Sequence, residues 1–296
     1  MNAKIIDRVM TVVFYAIALL LIVILFGLIG YILARGVPKL SLTFLTGPPR
    51  SLEAGSGIGT PLFNSLYMLF LTMVFTVPIG VGGGIYLAEY ARPGRLTDAI
   101  RAAIEVLSSL PSIVVGLFGF LVFVYYTGWG YTLMGGALAL MLFNLPLMVR
   151  TSEEAIRAVP HEQKEASLAL GISHWRTITD VLFPSALPGI VTGAILTAGR
   201  AFGEAAALIF TSGMSSPPLD FHDWNPLSSA SPLNPFRPGE TLAVNIWKVN
   251  SEGLIPDAKE VAAGASAVLV LSVLLFNVLA RFASRYVYRK MTASKS

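Results

Sequence analysis

Long stretches without any charged residue constrain the fold of this chain most. Residues 9–34 are uncharged between Arg8 and Arg35, and residues 106–149 are uncharged between Glu105 and Arg150. A hydrocarbon core about 30 Å thick needs about 20 apolar helical residues to cross it. The first stretch is also longer than the apolar region of about 7–15 residues in a secretory signal. These stretches therefore predict helices that span a membrane.

Six spanning helices account for the apolar stretches. They are expected at residues 9–34, about 61–88, on either side of a break at 127–131, about 185–210 and about 261–280. The break is predicted because Gly128 and Gly130 end helices, and the neighbouring aromatics suit a membrane interface. With only 13% charged residues, the chain is predicted to be an all-α, multi-pass membrane protein.

The distribution of Lys and Arg predicts which side the termini face. Six spans place both termini on one side, where 14 of the 21 Lys and Arg residues lie, against 6 on the other side. Basic residues are enriched in cytoplasmic segments. Both termini are therefore expected in the cytoplasm. Basic residues beside helix ends also account for the net charge of +4, so nucleic-acid binding is not predicted.

Catalytic and cofactor-binding patterns are missing from the sequence. It has no cysteine, and its three histidines are far apart, so no metal site or cofactor is expected. The glycines of residues 55–60 lack the lysine of a phosphate-binding P-loop, and those of 80–84 fall inside a span, where they favour close helix packing. Glu153 and Glu154 are interpreted as acids at a helix start. The chain is not expected to be an enzyme.

The segment from residue 161 to 184 predicts two short helices on the cytoplasmic face. Helix-forming residues continue to Leu170, Gly171 is placed to end the first helix in a left-handed conformation, and Ser173 is placed to cap the second. Pro184 is expected to stop the second helix before the fifth span. Such a pair could fill a groove on a partner or lie on the lipid surface. The residues alone leave both alternatives open.

Arg200 and Glu204 are the only charged residues between Val181 and Met214. A charged side chain near the bilayer centre costs about 2.5–3.5 kcal/mol on insertion scales. On a continuous α-helix the two residues share one face, yet an ion pair there recovers only a few tenths of a kcal/mol. They are therefore expected to line a transport pathway for an oxyanion, which a guanidinium binds well. A structural latch between helices is the alternative.

One motif in the predicted cytoplasmic helices resembles the "EAA loop" of ABC-transporter permeases. The matching positions are Glu165, Ala166, Ser167, Gly171, Val181, Phe183 and Pro184. Ser167 replaces the third residue of the family's Glu-Ala-Ala, and Phe183 replaces a leucine. The resemblance implies that this loop docks on a separate ATPase subunit, and that Glu165, Ala166, Ser167, Gly171 and Pro184 couple ATP hydrolysis to transport.

Residues 57–91, 103–123 and 199–213 are similar to the PstA family, permease subunits of the bacterial phosphate-specific ABC importer. This resemblance implies a type I importer (MetI-like) fold in the bacterial inner membrane and transport of inorganic phosphate beside Arg200 and Glu204. Sulfate, molybdate or phosphonate is the alternative substrate. The implied partners are a homologous PstC-like permease, two copies of a PstB-like ATPase and a periplasmic PstS-like phosphate-binding protein.

The expected segments follow from these spans and the resemblance. A cytoplasmic N-terminus (1–8) precedes the first span (9–34), and a five-helix permease core (61–285) is followed by a cytoplasmic tail (286–296). The core includes cytoplasmic coupling helices at 150–184 and a periplasmic cap at 211–260, which is rich in proline.

Overall fold

The computed structural model describes residues 3–50, 54–253 and 255–293, and the described part is helical without strands. The helices are α1 (Ala3–Gly36), α2 (Leu42–Thr46), α3 (Gly59–Ile85), α4 (Arg95–Ser109), α5 (Ser112–Gly119), α6 (Leu133–Arg157), α7 (His161–Ala169), α8 (His174–Thr177), α9 (Phe183–Gly203), α10 (Ala206–Thr211), α11 (Leu242–Glu252) and α12 (Ala258–Ala293). Three π-helical turns extend them at Tyr86–Tyr90, Phe120–Tyr126 and Ile178–Leu182.

Five of the described helices are long and apolar enough to cross a membrane, and a bent pair makes a sixth if it is counted as one span. The pair joins α4 to α5 and its π-turn at an angle of 104°. The bend was not predicted. Pro111 disfavours helical backbone at the preceding residue, and Leu110 is extended with ψ 135°. The predicted break at 127–131 separates this pair from α6 as expected.

The core of the bundle lies between α3, α6 and α9. Met68 of α3, Leu140 of α6 and Ala198 of α9 belong to one buried cluster, which α10 and α11 complete. Helix α1 stands apart, because its apolar side chains are exposed along most of its length. Near its end Gly36 lies so close to Ala263 that a Cβ there would overlap the carbonyl oxygen of α12. Most of α1 is therefore free to contact lipid or a partner.

Two glycines of the predicted packing cluster differ in how closely they approach α6. A Cβ at Gly84 would lie 2.5 Å from the Cβ of Ser152 and 2.8 Å from the backbone nitrogen of Glu153. A Cβ at Gly82, two residues away, would meet nothing within 4 Å. Close helix packing through this glycine cluster is thus confirmed at Gly84 and not at Gly82.

We expect Gly84→Ala to destabilise the chain by about 1–3 kcal/mol, because α6 backbone would have to move to make room. The measurement is the midpoint of thermal unfolding in detergent. Gly82→Ala is the matched control, since it adds the same methyl group on the same helix and raises helix propensity. Equal midpoints for the two variants would contradict close packing at Gly84.

The boundaries around the predicted loops differ from those expected. Helix α6 continues to Arg157, so the short-helix pair (the hairpin, residues 161–177) begins later than residue 150. Pro184 does not stop the second helix; this prediction is wrong, because the helix runs from His174 to Gly203 without a break. The proline lies near the start of α9, directly after the π-turn Ile178–Leu182, within this continuous helix. The segment 211–260 contains the helix α11.

Candidate functional site

The side chain of Arg200 lies in the last turn of α9, against the middle of α6. Its guanidinium carbon is 3.8 Å from the centre of the Phe143 ring, a cation–π contact. Phe143 is buried, whereas Arg200 is exposed in the single chain. One face of the guanidinium thus packs on the Phe143 ring, and its other side is exposed.

That open side forms part of a cleft of about 700 Å³ between α4, α6 and α9. The charged residues that line it are Arg101, Glu105, Arg150, Glu153, Glu154, Arg157 and Arg200. Within the described residues, no group of three or more His, Asp and Glu side chains in this cleft or elsewhere could hold a metal ion.

Three of the four arginines in the cleft are matched by carboxylates. Glu153 Oε1 lies 2.6 Å from Arg101 Nη2 and 3.0 Å from Arg157 Nε. The third ion pair joins Arg150 Nε to Glu154 Oε1 at 3.0 Å. Arg200 makes no ion pair with any side chain that the structure describes. Among the arginines of this cleft, Arg200 is therefore the one whose positive charge can bind a group from outside the chain.

The interpretation of Glu153 and Glu154 as acids at a helix start is wrong. Both residues lie in the last turns of α6, which ends at Arg157. Glu153 is buried and joins α6 to α4 through Arg101, which is 52 residues away in sequence. No local pattern in the sequence signals a contact at this distance.

Glu204 does not share a helical face with Arg200, and this premise of the sequence analysis is wrong. Helix α9 ends at Gly203, and Glu204 has extended backbone with φ −76° and ψ 127°. Its Oε1 accepts a hydrogen bond from the backbone nitrogen of Ala207 at 3.3 Å, which caps α10. Irregular backbone at membrane depth is tolerated where it is buried in protein or lines a wet cavity. The extended backbone after Gly203 is therefore expected in one of these two environments.

The turn of the hairpin has the geometry that its glycine predicts. Gly171 has φ +75°, and its backbone nitrogen donates to the carbonyl of Leu168 at 3.0 Å, while that of Ile172 donates to Ser167 at 3.3 Å. These two bonds form a Schellman motif, which needs a left-handed residue at this position. Ser173 accepts from the backbone nitrogen of Arg176 as expected.

Of the other motif residues in the hairpin, only Ser167 is buried. Its hydroxyl lies 3.0 Å from the hydroxyl of Thr177 and so joins α7 to α8. Glu165 and Ala166 are exposed, as are two large apolar side chains that the motif does not include, Leu170 and Trp175. The exposed fraction of Leu170 is 80%. The hairpin thus presents an uncovered apolar surface beside the motif.

The segment between α10 and α11 is held by a buried polar network. Arg237 Nη2 donates to Asn64 Oδ1 of α3 at 2.8 Å, and Lys248 Nζ of α11 lies 3.2 Å from Glu240 Oε2. Burial lowers the pKa of Arg237 to about 10, and burial raises the pKa of Glu240, which the nearby Lys248 opposes. This network fixes the cap on the ends of α3 and α11.

Comparison with known proteins reveals one family and one fold. Residues 80–293 match the family described as "Binding-protein-dependent transport system inner membrane component". The chain is 58% identical over 294 residues to the probable ABC transporter permease protein YqgI of Bacillus subtilis, which covers 99% of this chain and 100% of that protein. It is 33% identical over 279 residues to the phosphate transport system permease protein PstA of Yersinia pestis, covering 90% and 88%.

A solved structure has the same fold. It is a chain of the inward-facing MetNI methionine ABC transporter, with a TM-score of 0.55, 20% sequence identity, and coverage of 77% of this chain and 93% of that chain. This likeness, together with the family match and the all-helical architecture, confirms the predicted fold class.

Proposed function

Because this chain belongs to the family of binding-protein-dependent transport system inner membrane components and is the permease subunit of an ABC importer, we propose that the solute it carries is inorganic phosphate. ATP is hydrolysed by a separate subunit in this family. The chain would form half of the translocation pathway, and a homologous permease would form the other half.

The observation that carries this proposal is the unmatched charge of Arg200. In the described structure every other arginine of the cleft has a carboxylate within 3.0 Å. A guanidinium presents a planar fork of donors that fits the oxygens of phosphate. The similarity to PstA proteins, at 33% identity over most of the chain, also favours phosphate. Arg200 would contact the passing anion, and Glu204 would shape the pathway by holding the start of α10.

The hairpin would dock on the ATPase subunit. Its exposed apolar residues Leu170 and Trp175 lie on either side of the left-handed turn at Gly171. An exposed apolar surface on a helix can fill a hydrophobic groove of a partner protein. Glu165 and Ala166 would contribute to the same surface, Ser167 would hold its two helices together, and Pro184 would stand where α9 begins. The hairpin and both termini would then lie in the cytoplasm, in agreement with the distribution of Lys and Arg.

The remaining partners follow from this proposal. We expect two copies of a PstB-like ATPase, a PstC-like second permease and a PstS-like phosphate-binding protein. The binding protein would deliver phosphate to the cap held by Arg237 and Glu240.

The second candidate is a permease for another oxyanion, since a guanidinium also binds sulfate, molybdate and phosphonate. A competition assay separates the two. The complete complex, purified with the partners that this chain retains, is placed in vesicles, and uptake of radiolabelled phosphate is measured with each unlabelled oxyanion in excess.

We expect unlabelled phosphate to suppress the uptake and the other three anions to leave it almost unchanged. Vesicles without ATP are the control for leakage. Suppression by sulfate, molybdate or phosphonate at lower concentration than by phosphate would assign that anion to the permease instead.

A further inference from the structure

One carboxylate joins α3 to both helices of the hairpin. Glu89 lies in the π-turn Tyr86–Tyr90 that ends α3. Its Oε2 is 2.7 Å from Lys164 Nζ of α7 and 3.0 Å from His174 Nε2 of α8. Only 9% of the Glu89 side chain is exposed. We name Glu89, Lys164 and His174 the Glu89 cluster.

Two further contacts surround the Glu89 cluster. The ring of Tyr90 packs edge-on against His174, with ring centres 5.1 Å apart. Arg157 Nη2, at the end of α6, donates to the carbonyl of Leu87 at 3.1 Å. The π-turn of α3 is therefore attached both to the hairpin and to α6, the helix that leads into it. These contacts join residues that are 70 to 85 positions apart in the sequence.

The hairpin is connected directly to α9 along the chain but not to α3. Helix α8 continues through the π-turn Ile178–Leu182 into α9 without a break. A displacement of the hairpin is therefore passed directly along α9, whose last turn holds Arg200. Helix α3 has no such covalent connection to the hairpin, although it packs against both α6 and α9.

We propose that Glu89 is a positioning residue that makes α3 move together with the hairpin when the ATPase displaces the hairpin. The single carboxylate of Glu89 contacts Lys164 of α7 and His174 of α8. It therefore resists separation of α3 from either helix. The π-turn presents this carboxylate toward the hairpin, in keeping with the frequent presence of π-turns at functional sites. This inference rests on the proposed docking role of the hairpin, and it does not depend on which anion is transported.

The first test is Glu89→Gln in the complete complex with its ATPase. We expect the amount of phosphate taken up per ATP hydrolysed to fall about fivefold, within the range typical of coupling between sites. The complex should still assemble and hydrolyse ATP. A role in folding alone would instead lower the yield of complex and leave the ratio of uptake to hydrolysis unchanged, which would overturn the proposal.

Glu260→Gln is the matched control. It also removes one carboxylate and one ion pair, in this case the pair with Lys39 at 2.8 Å, on a helix outside the hairpin. We expect its ratio of uptake to hydrolysis to equal that of the unaltered chain. Glu89→Asp, which keeps the charge, should restore part of the ratio, because electrostatic attraction to Lys164 persists at a longer distance.

A second measurement does not require transport. The chain has no cysteine, so Gly82→Cys on α3 and Glu162→Cys on α7 can each carry a spin label. A Cβ at Gly82 meets nothing within 4 Å in this chain. In the complex, the distance between the labels should be narrowly distributed and unchanged by ATP. With Glu89→Gln added, we expect the distribution to broaden or to change with ATP.

An equally narrow, ATP-independent distance in the Glu89→Gln variant would overturn the inference. If Glu89→Gln lowers the yield of complex, Lys164→Gln replaces it in the same measurement, with the same two outcomes. The two proposals fail separately: a complex of the unaltered chain that takes up no phosphate contradicts the proposed substrate, whereas the label distance still tests the role of Glu89.

Discussion

Replacing Arg200 by glutamine is expected to lower phosphate uptake about 100-fold, which corresponds to about 3 kcal/mol. Glutamine has a similar reach and can donate a hydrogen bond, but it carries no charge and no planar fork. The loss of one charge-assisted contact in a confined site costs about 2–5 kcal/mol. No described carboxylate pairs with Arg200, so the substitution leaves no buried carboxylate without a partner. The effect should therefore fall on the passing anion and not on folding.

The measurement is ATP-driven uptake of radiolabelled phosphate into vesicles that contain equal amounts of assembled complex. Arg200→Lys is the control, because it keeps the charge and loses the bidentate geometry, and we expect an intermediate rate. Uptake at the unaltered rate in Arg200→Gln, with normal expression, would contradict contact between Arg200 and the anion. In that case Arg200 would have only a structural role, through its cation–π contact with Phe143.

The structure separates Glu204 from the helix that carries Arg200, whereas it places Arg200 at a cleft. Their spacing of four residues predicts one shared helical face, but this rule holds only while the helix continues. Gly203 and the extended backbone of Glu204 end it. A glycine three positions after Arg200 is the only local sign of this break, and glycines elsewhere in these spans, such as Gly84, lie inside continuous helix.

Features fixed by local chemistry were predictable from the sequence. The apolar stretches gave the spans, and the Gly171 turn followed from its position after a run of helix formers. The bend at Pro111 also has a local sign, its proline, but only the break at 127–131 was predicted in that uncharged stretch. Contacts such as Glu153 with Arg101 and Glu89 with Lys164 join residues 52 and 75 positions apart. Such contacts depend on how the helices are arranged around each other, which periodicity along one chain does not determine.

Replacing Gly171 by valine is expected to lower phosphate uptake per ATP hydrolysed about 30-fold, which corresponds to about 2 kcal/mol. Gly171 has φ +75°, a conformation that costs a residue with a Cβ about 1–3 kcal/mol and is worst for β-branched residues. Valine would break the Schellman hydrogen bonds to the carbonyls of Leu168 and Ser167. The changed turn would then alter the positions of Leu170 and Trp175 relative to each other. The docking surface would then no longer fit its partner.

Gly171→Asn distinguishes backbone conformation from bulk. Asparagine is similar in size to valine but adopts the left-handed conformation far more readily, and a Cβ at this position meets nothing within 4 Å in the chain. If the left-handed turn is what the ATPase requires, the asparagine variant should remain within about twofold of the unaltered chain, because its conformational cost is small. Equal losses in both variants would show instead that the partner surface lies against Gly171 and excludes any side chain there. Unchanged uptake in both would contradict a docking role for the hairpin, because the turn is the element that sets the relative positions of α7 and α8.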